Sequence, residues 1–145
     1  MIELSPYIAA IILAWTLSQF LKYALTFTQP VKLTFRGRLF VSGGMPSSHS
    51  ATIMAVWTVI LLLDGWTSGL FGLASALALI VTYDAVKVRR SSGEQGVALL
   101  ALMKEQKSKV PLPRVALGHT PLQVVVGAVL GVLVGLLVYW VSLGF

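Results

Sequence analysis

Long apolar runs alternate with short polar segments along this chain. A membrane-crossing helix needs about 20 mostly apolar residues, and runs of this kind occupy positions 5–27, 70–86 and 121–143, with a slightly short one at 48–63. The pattern predicts an all-α fold, a small integral-membrane helical bundle of about four transmembrane helices. A chain of 145 residues has room for one domain, so we expect a single membrane-embedded domain over residues 1–145.

Three polar segments connect the predicted spans. Residues 28–46 form a loop, and residues 64–69 form a tight turn that joins the second and third spans as a hairpin. The long segment that ends at Thr120 contains VALLALMKEQK, which is apolar on one side of a helix and charged on the other. It predicts a cytoplasmic amphipathic helix, either at the membrane interface or packed on the bundle.

Composition supports a membrane protein. The chain is 57% hydrophobic and 11% charged, against roughly 25% charged residues in a soluble domain. It has no cysteine and two histidines, so we predict no metal site and no other cofactor. No Lys or Arg precedes the first run, which therefore is expected to be a retained helix. Aromatic residues do not interleave with the basic ones, and this excludes a nucleic-acid partner.

The positive charge is confined to one membrane face. With four spans, all 11 Lys and Arg residues fall in or beside the two long loops, whereas the other face carries Glu3 and Asp64. By the positive-inside rule, both long loops are cytoplasmic and both termini lie outside.

The polar stretch SGGMPSSHSA, residues 42–51, precedes the second span. Its two glycines permit close approach of a ligand, and Ser47 or Ser48 is a suitable N-cap. His49 then falls in the first helical turn, where free backbone N–H groups and the helix dipole favour an anion. The alternative is an ordinary capped helix whose histidine lies near the lipid headgroups.

A second helix start carries the other histidine. In LGHTPLQ, His119 precedes Thr120 and Pro121, a cap followed by a proline. The predicted topology puts this start on the same face as His49, so the two imidazoles could converge on one anion. Gln123 follows four residues after His119, and its amide can fix the imidazole tautomer if the helix extends back that far.

Cationic side chains gather near the same face. Arg89 and Arg90 end the third span and either bind phosphate oxygens or anchor the span. Asp84 lies inside an apolar span, where a carboxylate is costly and indicates function. Arg89, Lys87 or Lys22 could pair with it. The alternative for Lys22 is that its ammonium extends to the membrane interface.

The fourth span repeats a small residue at every fourth position, with Gly127, Gly131 and Gly135. This pattern allows close helix packing, within the monomer or across a homodimer. We favour the intramolecular contact, because a small bundle needs tight helix crossings.

These motifs resemble a known family. GGMPSSHSA, YDAVKVRR with GEQ after it, and LGHTPLQVVVGAVLG, with SQFLK upstream, are similar to the divergent branch of the type 2 phosphatidic acid phosphatase superfamily, which also includes the vanadium haloperoxidases. The resemblance covers about residues 18–135. Pro46, Ser47 and His49 match the superfamily's Pro-Ser-Gly-His motif, with Ser48 in place of the glycine.

The resemblance implies a metal-independent phosphatase with two histidines in distinct roles. His119 matches the nucleophile, which forms a phosphohistidine that water later hydrolyses, and His49 matches the general acid. Gln123 stands where the superfamily has a supporting aspartate. An amide can orient the imidazole, but it does not offset the positive charge that develops on it.

The superfamily's phosphate-binding cations are partly matched. The first loop has no Arg-Pro pair, so Lys22 with Arg38 is our substitute, and Lys32 with Arg36 is the alternative. The predicted phosphate-binding residues are Lys22, Arg38, Ser47, Ser48, Arg89 and Arg90. The predicted catalytic residues are His49, His119, Gln123 and Asp84.

The leading hypothesis is a membrane phosphatase of the bacterial inner (plasma) membrane that hydrolyses a lipid phosphate or pyrophosphate at the cytoplasmic face. Its partners are then the phosphorylated lipid and the bilayer. Phosphatidylglycerol phosphate, phosphatidic acid and prenyl pyrophosphates present similar phosphates, so all three are candidate substrates. The alternatives are a non-catalytic membrane protein that binds an anionic lipid or phosphate, and a subunit that assembles through the glycine repeat.

Overall fold

Five helices make up the described part of the chain. The computed structural model describes residues 4–26, 44–111 and 118–144. The helices are α1 (Pro6–Thr26), α2 (Ser48–Asp64), α3 (Gly69–Tyr83), α4 (Arg89–Glu105) and α5 (Pro121–Ser142), and a π-helical turn at Asp84–Val88 joins α3 to α4. No β-strand occurs within these ranges, and the predicted all-α class is confirmed.

Within the described residues, three helices are long and apolar enough to cross a membrane: α1, α5 and the continuous helix that comprises α3, the π turn and α4. Helix α2 is a shorter apolar helix of 17 residues. Large apolar side chains point away from the bundle, such as Leu79 and Leu133, which are 72% and 58% exposed. An extended apolar surface of this kind suits contact with lipid. The chain is a membrane protein with the predicted small helical bundle.

Helix α2 is the centre of the bundle and packs against α1, α3 and α5. Tyr7 at the start of α1 donates a hydrogen bond of 2.7 Å to Asp64 at the end of α2, so these two helices are antiparallel. The turn after Asp64 makes α3 antiparallel to α2 as well, and Trp57 of α2 donates to Ser75 of α3 at 2.9 Å. Both α1 and α3 therefore end on the side of the bundle where α2 begins.

The glycine repeat brings α5 directly onto the backbone of α2. A Cβ added at any of the three glycines would lie under 3.0 Å from a carbonyl oxygen of α2 or of its N-cap. The pairs in contact are Gly127 with Ser47, Gly131 with Ala51, and Gly135 with Ala55. The residue numbers increase together in these three pairs, so α5 is parallel to α2 and begins at the same end of the bundle. The intramolecular interpretation is confirmed, and a homodimer through the repeat, which would have to displace α2, stays a prediction.

One predicted helix boundary is wrong. The third span does not end near Val86, because the backbone continues through the π turn into α4 and forms an unbroken helix of 37 residues. Within the turn, the Arg89 N–H bonds to the Asp84 carbonyl, five residues back instead of four. The basic residues of this region are good helix formers, so a cluster of charge does not stop the helix.

The predicted amphipathic segment is helical and forms α4. Val97, Leu99 and Leu102 are each about half exposed, so these three apolar side chains do not pack tightly on the described bundle. The location at the membrane interface stays a prediction, now for a helix that continues α3 directly.

Candidate active site

Two helix starts and two helix ends meet at one end of the bundle. Helices α2 and α5 begin there, α1 ends there, and α3 passes into the π turn. The Ser47 N–H donates to the Gln123 carbonyl at 3.1 Å, which joins the two helix starts. His49 and His119 line one cavity of about 150 Å³, so the two histidines lie on the same face, as the charge pattern predicted.

The start of α2 is capped by Ser47. Its Oγ accepts hydrogen bonds from the Ser50 N–H at 3.4 Å and from the Ser50 hydroxyl at 2.9 Å. Both serines are fully buried, so the Ser47 hydroxyl stabilises the helix start instead of facing the cavity. His49 is the second residue of α2 and is exposed.

The start of α5 is a capping box. The Thr120 hydroxyl accepts from the Gln123 N–H at 3.4 Å, and Gln123 Oε1 accepts from the Thr120 N–H at 3.0 Å. The same Oε1 lies 3.3 Å from Nδ1 of His119. The helix begins at Pro121 and does not extend back to His119. The predicted contact nevertheless forms, because the capping box turns the amide towards the imidazole.

This geometry defines the imidazole tautomer of His119. A backbone N–H needs an acceptor, so the Gln123 atom that faces Thr120 is the oxygen. An amide oxygen only accepts, so Nδ1 of the neutral imidazole carries the proton. In this tautomer Nε2 carries the lone pair of the neutral imidazole.

The backbone of His119 is docked on the π turn. Its N–H donates to the Ala85 carbonyl at 3.2 Å. In a regular α-helix this carbonyl would accept from Arg89, but the π turn moves the Arg89 N–H one residue back. Gly118 packs on the backbone of Arg90, where an added Cβ would lie 2.6 Å from the Arg90 Cα. A larger residue at this position would displace His119 from the turn.

Burial lowers the pKa of His119 below its ordinary value, because its side chain sits in a low-dielectric environment. The positive charge of Lys22 and the neighbouring His49 act in the same direction, while hydrogen bonds to Gln123 and to the Gly44 backbone oppose them. Burial thus favours the neutral form of His119, which is the form that a nucleophile requires.

The two arginines that end the predicted third span differ in position. Arg89 lines the cavity together with Asp84, and the two side chains form an ion pair. Arg89 is thus the partner of Asp84 among the three that the sequence allowed. The guanidinium of Arg90 lies 3.1 Å from Glu94 and is not brought to the cavity.

Lys22 reaches the site from the end of α1. It is 5% exposed, and its ammonium donates to the Ser48 hydroxyl at 3.4 Å, so it does not extend to the membrane interface. The other predicted cations of the first loop, Lys32, Arg36 and Arg38, lie outside the described residues. In the ranges that are described, no group of three or more His, Cys, Asp or Glu side chains could hold a metal ion.

Two residues of the site were not predicted, Ala85 and Gly118. A glycine directly before the histidine of a helix start is a usable signal of close backbone approach. Ala85 contributes only its backbone carbonyl group, which every residue type has, so the sequence could not identify it.

Comparison with known proteins supports the resemblance of the sequence motifs. The family model described as Divergent PAP2 family matches residues 5–134. The "Uncharacterized membrane protein YuiD" of Bacillus subtilis (strain 168) is 34% identical over 110 residues, which cover 66% of this chain and 70% of that protein. No solved structure matches the chain. The family match extends over both helix starts and both histidines, and the chain belongs to the Divergent PAP2 family.

Proposed function

We propose that this protein is a metal-independent membrane phosphatase that hydrolyses a lipid phosphate or pyrophosphate through a phosphohistidine intermediate. The observation that carries the proposal is the presence of two imidazoles in one small cavity, one of them with its Nδ1 against the Gln123 amide oxygen. Such a pair can divide nucleophilic attack and proton transfer between two side chains. Membership of a PAP2-type family supports a phosphate ester as the substrate.

The proposed reaction has two steps. In the first, Nε2 of His119 attacks phosphorus, a P–N bond forms, the P–O bond to the lipid breaks, and His49 gives its proton to the departing oxygen. In the second, water attacks phosphorus and gives a proton to His49, the P–N bond breaks, and inorganic phosphate leaves. Gln123 keeps the other imidazole proton on Nδ1 in both steps.

The negative charge of the phosphoryl group needs cationic partners. Arg89 lines the cavity, and Lys22 is buried beside Ser48. The starts of α2 and α5 add backbone N–H groups and the positive ends of two helix dipoles, which also favour an anion. In the proposal these groups stabilise the transferring phosphoryl group in the way that a metal ion does in other phosphatases.

We place the reaction at the cytoplasmic face of a bacterial inner membrane. In the described ranges, every Lys and Arg lies at or beyond the end of the bundle that carries the site, whereas the α2–α3 turn at the other end follows Asp64. The positive-inside rule then supports a cytoplasmic site.

A non-catalytic protein that binds an anionic lipid or phosphate is the second candidate. The observation that favours it is the identity of residue 123. Its amide orients His119 but leaves the charge of a phosphorylated imidazole without a neutralising carboxylate. Such a site would retain anion binding with weak chemistry.

Phosphate release separates the two candidates. The purified full chain would be reconstituted in phosphatidylcholine vesicles that contain phosphatidic acid, phosphatidylglycerol phosphate or a prenyl pyrophosphate. The release of inorganic phosphate would then be measured in the presence of EDTA. We expect release from at least one of them, its loss in His119→Ala, and a reduced rate in His49→Ala. Val129→Ala, at a position 55% exposed on α5, is the control and should retain full activity.

Two results would overturn parts of the proposal. Lipid binding that persists in His119→Ala, with no release from any substrate by the wild type, would establish the binding protein instead. Full activity of His119→Ala would remove His119 as the nucleophile.

A further inference from the structure

An apolar groove lies beside the cavity of the two histidines. It is located between α1 and α3, with α2 as its floor, and its volume is about 370 Å³. Its apolar lining includes Ile11 and Trp15 of α1, Ile53 and Val56 of α2, and Leu77 and Val81 of α3. The groove lies among helices whose outer surfaces suit lipid contact, so hydrocarbon can reach it from the side.

The groove and the cavity adjoin at His49. His49 and Val81 line both. Ser48, whose hydroxyl accepts a hydrogen bond from Lys22, also lines this end of the groove. One end of the groove therefore borders the candidate phosphate site.

Away from that end, the described residues that line the groove offer no unsatisfied hydroxyl. Thr52 also lines the groove, and its hydroxyl donates to the Ser48 carbonyl at 2.9 Å. The Thr52 hydroxyl is therefore satisfied by the backbone of α2 and is not needed by a ligand. Such a lining favours a hydrocarbon chain over a polar ligand.

The length of the groove limits what it can hold. Its floor extends from Ser48 to Val56, which is about 12 Å at a rise of 1.5 Å per residue. This is less than half of the roughly 30 Å thickness of the hydrocarbon core of a bilayer. The groove therefore accommodates only the part of a lipid chain that is nearest to the headgroup, and the remainder of the chain extends into the bilayer.

We propose that this groove binds the head-proximal part of an acyl chain of a phosphorylated lipid whose phosphate lies at His49. The inference rests on the proposed function for the identity of the phosphate ligand. A phosphate held at His49 places its own chain at the mouth of the groove, because His49 belongs to both. The lipid then enters sideways from the membrane, between α1 and α3.

Photo-crosslinking tests the occupant directly and does not require hydrolysis. The full chain in phosphatidylcholine vesicles would be irradiated with a phosphatidic acid that carries a diazirine near the glycerol end of its chain. Mass spectrometry of the peptides then locates the label. We expect labelling of α2 around Ile53 and Val56 and of α1 around Trp15, and we expect excess unlabelled phosphatidic acid, but not diacylglycerol, to compete it away.

Substitutions in and outside the groove give a second readout. Val56→Trp fills the groove, and Val129→Trp adds the same side chain on the exposed surface of α5. We expect Val56→Trp to lower the kcat/KM ratio of long-chain phosphatidic acid over para-nitrophenyl phosphate at least about tenfold. Val129→Trp should leave that ratio unchanged.

The outcomes distinguish failure of the groove from failure of the phosphatase. Competable labelling of the groove without hydrolysis would support the chain site and overturn the proposed catalysis. Hydrolysis with labelling spread over all lipid-facing helices would overturn the groove and leave the catalysis intact. Competition by diacylglycerol equal to that by phosphatidic acid would also overturn the groove proposal, because the phosphate would then contribute nothing to binding.

Discussion

The amide oxygen of Gln123 lies 3.3 Å from Nδ1 of His119. The same oxygen accepts the Thr120 N–H at 3.0 Å, so one atom both caps α5 and sets the tautomer of an imidazole. A carboxylate in its place would perform both tasks and would also stabilise a positively charged imidazole. The site therefore has an oriented histidine with less electrostatic support than an acidic partner would supply.

Replacing Gln123 by Glu should increase turnover. Glu is the residue that a capping box uses at the third helical position, so α5 should keep its start. The carboxylate would stabilise the charge that develops on His119 in the first step. We expect kcat for phosphatidic acid to rise about tenfold, which corresponds to about 1.4 kcal/mol, in phosphate-release assays at pH 8.

Gln123→Met is the matched control for this experiment. It has a similar length but offers no acceptor to His119 or to Thr120. We expect it to lower turnover by roughly 100-fold. Equal rates for the wild type, the Glu variant and the Met variant would show that residue 123 does not act on the imidazole.

The stability of the fold should depend on pH through His119. Burial lowers its pKa in the folded protein, whereas the unfolded chain has the ordinary value of about 6.5. As the pH falls, the unfolded state binds the proton first. The stabilisation from neutral His119 is therefore complete above about pH 6.5 and is lost as the pH falls towards the folded pKa.

Thermal unfolding of the detergent-solubilised protein between pH 8 and pH 5 would measure this effect. We expect Tm to fall on acidification in the wild type, and to fall less in His119→Gln, which cannot be protonated. Parallel Tm curves for the two proteins would contradict the assignment of the effect to His119.

The contact between α2 and α5 should be sensitive to a single methyl group. A Cβ at Gly131 would collide with the Ala51 carbonyl and would lie 2.9 Å from Cβ of Met54. Gly131→Ala should therefore lower the free energy of unfolding by about 1–3 kcal/mol, the usual cost of overpacking, although alanine is the better helix former. Unfolding by denaturing detergent would measure the change.

Gly72 supplies the matched control for that substitution. It lies in α3, and an added Cβ there has no heavy atom within 4 Å. Gly72→Ala should be neutral or stabilising by up to about 1 kcal/mol, because alanine has the higher helix propensity. Equal effects at the two positions would contradict the close approach of α5 to α2.

The helix bounds were predicted accurately where the sequence carries a cap, a proline or a clear end to an apolar run. Apolar length, a cap and a proline placed the fourth span at 121–143, and α5 comprises Pro121–Ser142. The first span was predicted at 5–27, and α1 comprises Pro6–Thr26. The end of the third span was wrong, because the change from apolar to basic residues marks a change of surroundings and not a break in the backbone.

The convergence of the two histidines followed from charge placement and chain topology, and Gln123 followed from its spacing to His119. The contacts that hold these residues were not predictable from residue type. The Ala85 carbonyl receives the His119 N–H only because a π turn redirects a neighbouring hydrogen bond. The glycine repeat indicated close packing but not its partner, since that depends on how four helices pack together.

Trapping a phosphoenzyme would show whether His119 forms the covalent intermediate. Para-nitrophenyl phosphate has a good leaving group, so His49→Ala should still allow attack by His119 but should lack the base that activates water for the second step. We predict that rapid alkaline quenching of this variant with the ester yields phosphohistidine at residue 119, detected by mass spectrometry, and that His49→Ala/His119→Ala yields none. Two results would contradict this mechanism. One is phosphate release by the wild type with no phosphohistidine in His49→Ala, and the other is a phosphoryl group bound to a residue other than His119.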